Sequence, residues 1–229
     1  MHTRLASPPY PEIMTNRLGE LWHNLGLLAG KIGNETGSPA YLTQAVEAFT
    51  NALKERKREI VPLEWAAIQN NLGNVLSVLG QRSGKEAYLT QAVDAYNNAL
   101  RERKRDIVPL DWAMTQNNLG EVLQVLSERT EDEAYLTQAI DAYNNALKEY
   151  KGDIVPLQWA GTQNNLGNVL KILGELKQST ILLHQAKQYY IEALAVLEEH
   201  QAMAYVYGVN SNIARVNSLL EAYSSPVNP

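Results

Sequence analysis

Apolar side chains recur along this chain at helical spacing, in two alternating stripes. With each residue turned by about 100° from the last, Trp65, Ile68, Leu72, Val75, Leu76 and Leu79 fall on one broad face. Gly80-Gln81-Arg82-Ser83-Gly84 interrupts the pattern, and Leu89, Ala92, Val93, Tyr96, Ala99 and Leu100 then form a second face. The pair of stripes predicts two helices folded into a hairpin. Small Ala92 and Ala99, opposite Gly73, predict a close approach of the two backbones.

The pattern returns every 47 residues. Trp65-Ala66 with Gln69-Asn70-Asn71-Leu72-Gly73 is repeated at Trp112-Ala113 with Gln116-Asn117-Asn118-Leu119-Gly120. It is repeated again at Trp159-Ala160 with Gln163-Asn164-Asn165-Leu166-Gly167. A worn first copy reads Trp22-His23-Asn24-Leu25-Gly26, with Leu18 in the column that later holds tryptophan. The second helix of each unit opens on Tyr41-Leu42-Thr43-Gln44-Ala45, on the same phrase at Tyr88 and Tyr135, and on Leu182-Leu183-His184-Gln185-Ala186. A period of this length means stacked supersecondary units, each burying its apolar face on its neighbours.

Pro62, Pro109 and Pro156 recur in Ile-Val-Pro-Leu and open the first helices, where the missing N–H costs nothing. Ser38-Pro39 reads as a cap before a first-turn proline, and Thr130-Glu131-Asp132-Glu133 as a capping box. Helices are predicted near 14–33, 39–58, 62–82, 86–105, 109–129, 133–151, 156–176, 180–199 and 202–222. The last is half a repeat, with Val206, Asn210, Asn212, Ile213 and Val216 in the columns of Trp159, Gln163, Asn165, Leu166 and Val169. The expected organisation is a single solenoid at 14–222, with repeats about 15–61, 62–108, 109–155 and 156–201, a capping helix at 202–222, and tails at 1–13 and 223–229.

Composition narrows the function. The chain has no cysteine, which excludes disulfides, thiolate metal sites and cysteine nucleophiles. A net charge of −5 speaks against a dedicated nucleic-acid binder, and no apolar run reaches the roughly 18 residues of a membrane helix. No signal-peptide pattern opens the chain, so the expected location is cytoplasmic. The four histidines, at 2, 23, 184 and 200, are too scattered for a metal site. With no nucleophile motif or phosphate loop, the expectation is a non-enzyme without cofactor or metal.

The repeat resembles the tetratricopeptide repeat (TPR) family. That family carries Leu-Gly in the first helix, Ala, an aromatic and Ala in the second, and a closing proline. Here these are Leu72-Gly73, Ala92, Tyr96, Ala99 and Pro109, and again Leu119-Gly120, Ala139, Tyr143, Ala146 and Pro156. The usual 34-residue repeat is lengthened to 47, and Gln69 stands where the family has its first-helix aromatic. Long-repeat relatives with an Asn-Asn-Leu-Gly-like phrase include kinesin light chains and bacterial TPR proteins, some joined to proteases or signalling ATPases. The resemblance implies an all-α, right-handed superhelical solenoid of antiparallel helix hairpins that binds a protein or peptide partner in a concave groove. A self-associating scaffold, or a regulatory arm for a separate effector enzyme, is the alternative.

The candidate groove residues follow from the wheel. Asn70, Asn74 and Ser77 lie opposite the apolar stripe, as do Asn117, Glu121 and Gln124, and Asn164, Asn168 and Lys171. A primary amide both donates and accepts, so a row of them can pair with any extended backbone. In resembling proteins, asparagines of this phrase hold extended peptides. Asn70, Asn74, Asn117, Glu121, Asn164, Asn168 and Lys171 are therefore the expected peptide-binding set. Asn71, Asn118 and Asn165 project to the flank, where an amide bridges neighbouring helices or adds a secondary contact. Ala67, Met114 and Gly161 begin the stripe and offer no cation, which disfavours a carboxylate clamp. Trp65, Trp112 and Trp159 are expected in inter-repeat packing. The basic runs Lys54–Arg58 and Arg101–Arg105, at helix C-termini, are expected to be solvated.

Overall fold

The computed structural model describes the backbone of residues 10–224 and the side chains of 17–224. Among these residues all regular structure is helical: α1 (Tyr10–Thr36), α2 (Pro39–Glu55), α3 (Pro62–Ser83), α4 (Glu86–Leu100), α5 (Pro109–Thr130), α6 (Glu133–Ala146), α7 (Pro156–Leu176), α8 (Thr180–Glu199) and α9 (Met203–Ser224). Residues 1–9 and 225–229 of the expected tails lie outside the described part, whereas α1 already begins at Tyr10 and α9 runs to Ser224.

Prolines 62, 109 and 156 each stand at the first position of a first helix, after Val61, Val108 and Val155. The residue before a proline is biased away from helix, which keeps Val61, Val108 and Val155 out of any helix, but the long second-helix tails expected from the sequence stop well before them. α4 ends at Leu100 and α6 at Ala146, five residues before the expected ends. A repeated turn replaces the last part, in which Val61, Val108 and Val155 donate N–H bonds to the carbonyls of Lys57, Lys104 and Lys151.

Capping differs from the expectation in one place. Asp132, not Thr130, caps α6, its carboxylate accepting from the Ala134 N–H at 2.9 Å. Glu131 is left-handed (φ 58), closing α5 where Gly84 (φ 71) closes α3. Ser38 does stand at the cap of α2, without a side-chain cap bond.

The chain divides into two compact units, residues 1–102 and 103–229. In the first, the hairpin α1–α2 packs through both helices against α3, which pairs with α4. Its core joins Ala29, Leu42, Ala45, Phe49, Ile68, Val75 and Leu79. Each fully buried large side chain here contributes roughly 1.5–3 kcal/mol. Glycine sets the hairpin spacing, because a Cβ on Gly26 or Gly73 would lie 2.7 Å from the ring of Phe49 or Tyr96. The close approach expected at Gly73 therefore accommodates a tyrosine ring, with Ala92 and Ala99 fully buried beside it. Arg82 donates to the carbonyls of Gly33 and Asn34 at 2.8 and 3.0 Å, satisfying the C-terminal end of α1.

In the second unit α5 pairs with α6 and α7 with α8, and α9 packs on α8 and α7. Gly120 and Gly167 lie beneath Tyr143 and Tyr190 as Gly73 lies beneath Tyr96. Trp112 and Trp159 pack against Ala113, Ala146 and Tyr150 but stay half-buried. The basic runs are more engaged than a solvated face. Arg58 pairs with Glu102 and Arg105 with Glu149, their guanidinium carbons 5.6 and 6.0 Å from the Trp65 and Trp112 ring centroids. Arg103 is buried and donates to Thr115 Oγ1 at 2.9 Å. Burial lowers its pKa, and burial likewise pushes the adjacent Tyr150 up to about 12.

Candidate functional site

The expected binding column is bonded within the fold. Asn74 and Asn168 each accept the phenolic hydrogen of their own hairpin's tyrosine, Tyr96 and Tyr190, at 2.8 Å. Asn117 accepts from Thr162 Oγ1 at 3.0 Å, and Asn164 accepts from the Asn212 amide at 3.1 Å, each bond joining two successive first helices. Asn70 is 1% exposed, which corrects its expected place on an open face. Ser77 is buried too, and accepts from Gln81 at 3.1 Å. The wheel misplaced them because it sees one helix and leaves out the helices packed against it.

The remaining predicted residues divide. Lys171 is half-buried on α7 and Glu121 is exposed on α5. The Glu121 carboxyl is nevertheless desolvated enough to titrate above the ordinary carboxylate range. Burial, and then the Glu121 charge, push the Tyr143 phenol well above its usual value. Of the flank residues, Asn71 Nδ2 lies 3.2 Å from His23 Nε2, bridging α3 to α1 as an amide there was expected to do. Burial lowers the His23 pKa, with the Arg56 charge adding to it, and the neutral ring accepts that bond. Asn118 and Asn165 are half-buried on α5 and α7.

Open surface lies slightly to one side of the predicted column. In the second unit a cavity of about 420 Å³ between α5 and α7 is lined by Leu110, Met114, Asn117, Tyr150, Gly161 and Asn165. A second, of about 560 Å³, lies against α7 and α9, with Leu157, Asn164, Leu197, Tyr205, Gly208 and Asn212 on its walls. Gln158 and Gly161 line both, so the two cavities adjoin at α7. A Cβ on Gly161 or Gly208 would meet nothing within 4 Å. In the first unit a shallower cavity of about 350 Å³ between α1 and α3 is lined by Leu27, Lys31, Asn34, Glu35, Asn71 and Asn74. The sequence signal for the adjoining pair was Met114 and Gly161 following Ala67 in one column.

No group of three or more His, Asp or Glu among the described residues is arranged to hold a metal ion. No helix among them is long and apolar enough to cross a membrane.

Three segments, residues 65–102, 112–149 and 159–202, match the tetratricopeptide repeat family and together span more than half of the chain. The chain belongs to the tetratricopeptide repeat family. Its hairpins are the TPR-like repeats of an all-α solenoid, and repeats of this family mediate contacts between proteins. Among solved structures the chain is similar to the designed helical repeat protein DHR64, at 18% identity over 93% of this chain and 95% of that one, TM-score 0.42. It is also similar to MamA protein, at 14% identity over 90% and 98%, TM-score 0.40. A third is BtubC from P. vanneervenii, at 15% identity over 94% of each chain, TM-score 0.35. No curated protein matches the sequence.

Proposed function

We propose that this TPR protein is a binding module without catalytic activity that holds an extended segment of a partner protein along its first helices. The adjoining cavities along α5, α7 and α9 carry the proposal. Their walls mix apolar side chains with amides, and the two glycines on them, 47 residues apart, keep the floor low. Asn117 and Asn164 use their Oδ1 atoms inside the fold. Their N–H groups remain for a peptide carbonyl, and Asn165 adds a complete amide. The long-repeat type, whose resembling members grip extended peptides by asparagine, supports the same reading. Asn74 and Asn168 are assigned to holding their hairpins together, Asn70 to the interior, and Glu121 and Lys171 to the margin of the surface. A cytoplasmic location goes with this reading.

A displayed library of random 12-residue peptides tests it. Selected peptides are synthesised with a fluorophore and titrated by anisotropy against the wild type and Gly161→Trp. The substituted ring enters open space, so the fold and melting temperature should hold while affinity falls at least about tenfold. Failure to select any peptide, or undiminished binding by a folded Gly161→Trp, would remove these cavities as the site.

A further inference from the structure

We propose that α1 is a self-complementary docking face through which two copies of the chain pair antiparallel about a two-fold axis. The column register supports it first. Leu18, Leu21, Leu25, Leu28 and Ile32 stand 47 residues before Trp65, Ile68, Leu72, Val75 and Leu79, the stripe with which α3 docks onto the hairpin before it. On α3 that stripe is covered, with Ile68, Val75 and Leu79 at 1%, 6% and 3% exposure. On α1 the same columns are open, with Leu18, Leu21, Leu25 and Leu28 at 42%, 66%, 46% and 57%. An apolar stripe of this kind on a soluble chain marks an interaction surface.

The two ends of the repeat array are chemically unlike. α9 keeps the docking stripe, with Val209 and Val216 buried, but changes the face that would receive a further helix. Tyr207, Asn217 and Glu221 stand in the columns of Ala160, Leu170 and Gly174. Asn217 and Glu221 thus put polar groups, beside the exposed Tyr207 ring, where the inner repeats have leucine and glycine, as at a terminal cap. A head-to-tail stack would press the α1 leucines onto Asn217 and Glu221, so a closed pairing of like ends is favoured over an open filament.

Charge fixes the direction of pairing. Exposed Arg17, Glu20, Lys31 and Glu35 border one side of the leucine stripe. Antiparallel pairing centred between Leu25 and Leu28 sets each of these leucines against the other in the second copy, and Leu21 against Ile32. The same register brings Arg17 and Glu35 within one residue of facing each other, and Glu20 and Lys31 within two, on one shared side of the interface, whereas a parallel two-fold pairing would place the charged flanks on opposite sides of it. Lys31 and Glu35 of one helix are 3.9 Å apart and both largely exposed, so this weak pair is readily exchanged for contacts across the axis.

The test is sedimentation equilibrium of the full chain over a range of concentrations. The wild type should dimerise reversibly, and Leu21→Lys with Leu28→Lys should be monomeric with an unchanged helical signal. Arg17→Glu should weaken the dimer about tenfold, and Arg17→Glu combined with Glu35→Arg should restore it. A monomeric wild type, open-ended polymers, or absence of charge-swap rescue would each overturn the proposal. So would a chain that dimerises only after removal of residues 1–9, since that segment would then be the occupant of the stripe. Gly161→Trp should leave the dimer intact, which separates this interface from the peptide site.

Discussion

The Tyr143 hydroxyl is buried without a hydrogen-bond partner, beside Glu121. The corresponding Tyr96 and Tyr190 hydroxyls donate to Asn74 and Asn168, and Glu121 occupies that asparagine column. Glu121→Asn should supply the missing acceptor and stabilise the protein by about 1 kcal/mol at about pH 7. The folded-state pKa of Glu121 is raised, so the cost of keeping it ionised is absent below the ordinary carboxylate value. That cost grows as pH rises through the raised one. The advantage of the variant should accordingly shrink toward about pH 4. Urea titrations at both pH values check this, and an equal gain at both would exclude the ionisation part.

Two glycines of the second unit should respond to alanine with opposite signs. At Gly120 the new Cβ would lie 2.7 Å from the Tyr143 ring, and overpacking of this kind costs about 1–3 kcal/mol. At Gly161 it would meet open space, leaving only the helix preference for alanine, worth about 1 kcal/mol. Calorimetry should thus place Gly120→Ala below the wild type in melting temperature and Gly161→Ala above it.

Glu131 holds a left-handed backbone that glycine adopts at Gly84 in the preceding hairpin. A side chain there costs roughly 1 kcal/mol or more. Glu131→Gly should raise stability by about that amount in a denaturant titration, while Gly84→Ala should lower it.

The repeat, its hairpins and the proline-started helices were legible because each rests on local chemistry read at a fixed period. The ends of α4 and α6 were not, since the turn through Lys104–Val108 and Lys151–Val155 depends on backbone bonds that side-chain periodicity does not register. The candidate site was legible in its helices and displaced in its residues. Thr162 and Asn212 reach the Asn117 and Asn164 amides from another helix, and a single-helix wheel contains no such neighbour. Trp112, expected in packing, does pack on Ala146 and Tyr150, but its first-turn position leaves it half-buried.

The C-terminal helix offers the last test. α9 buries Val209 and Val216 against the α7–α8 hairpin, with Ile213, Leu219 and Leu220 half-buried around them. Its Asn212 also satisfies Asn164 across that junction. Nearest-neighbour interfaces carry much of the stability of a repeat array, so removing one end both destabilises and exposes the hairpin behind it. A chain ending at Gln201 should keep most of its helical circular dichroism, melt at a lower temperature, and bind more of a hydrophobic dye than the full chain does. The α1 substitutions Leu21→Lys and Leu28→Lys, introduced alongside, keep the N-terminal stripe from contributing to association. Aggregation that persists in this background then reports the uncovered α7–α8 face. A truncated chain that stays monomeric with an unchanged melting temperature would show that α9 is not a cap.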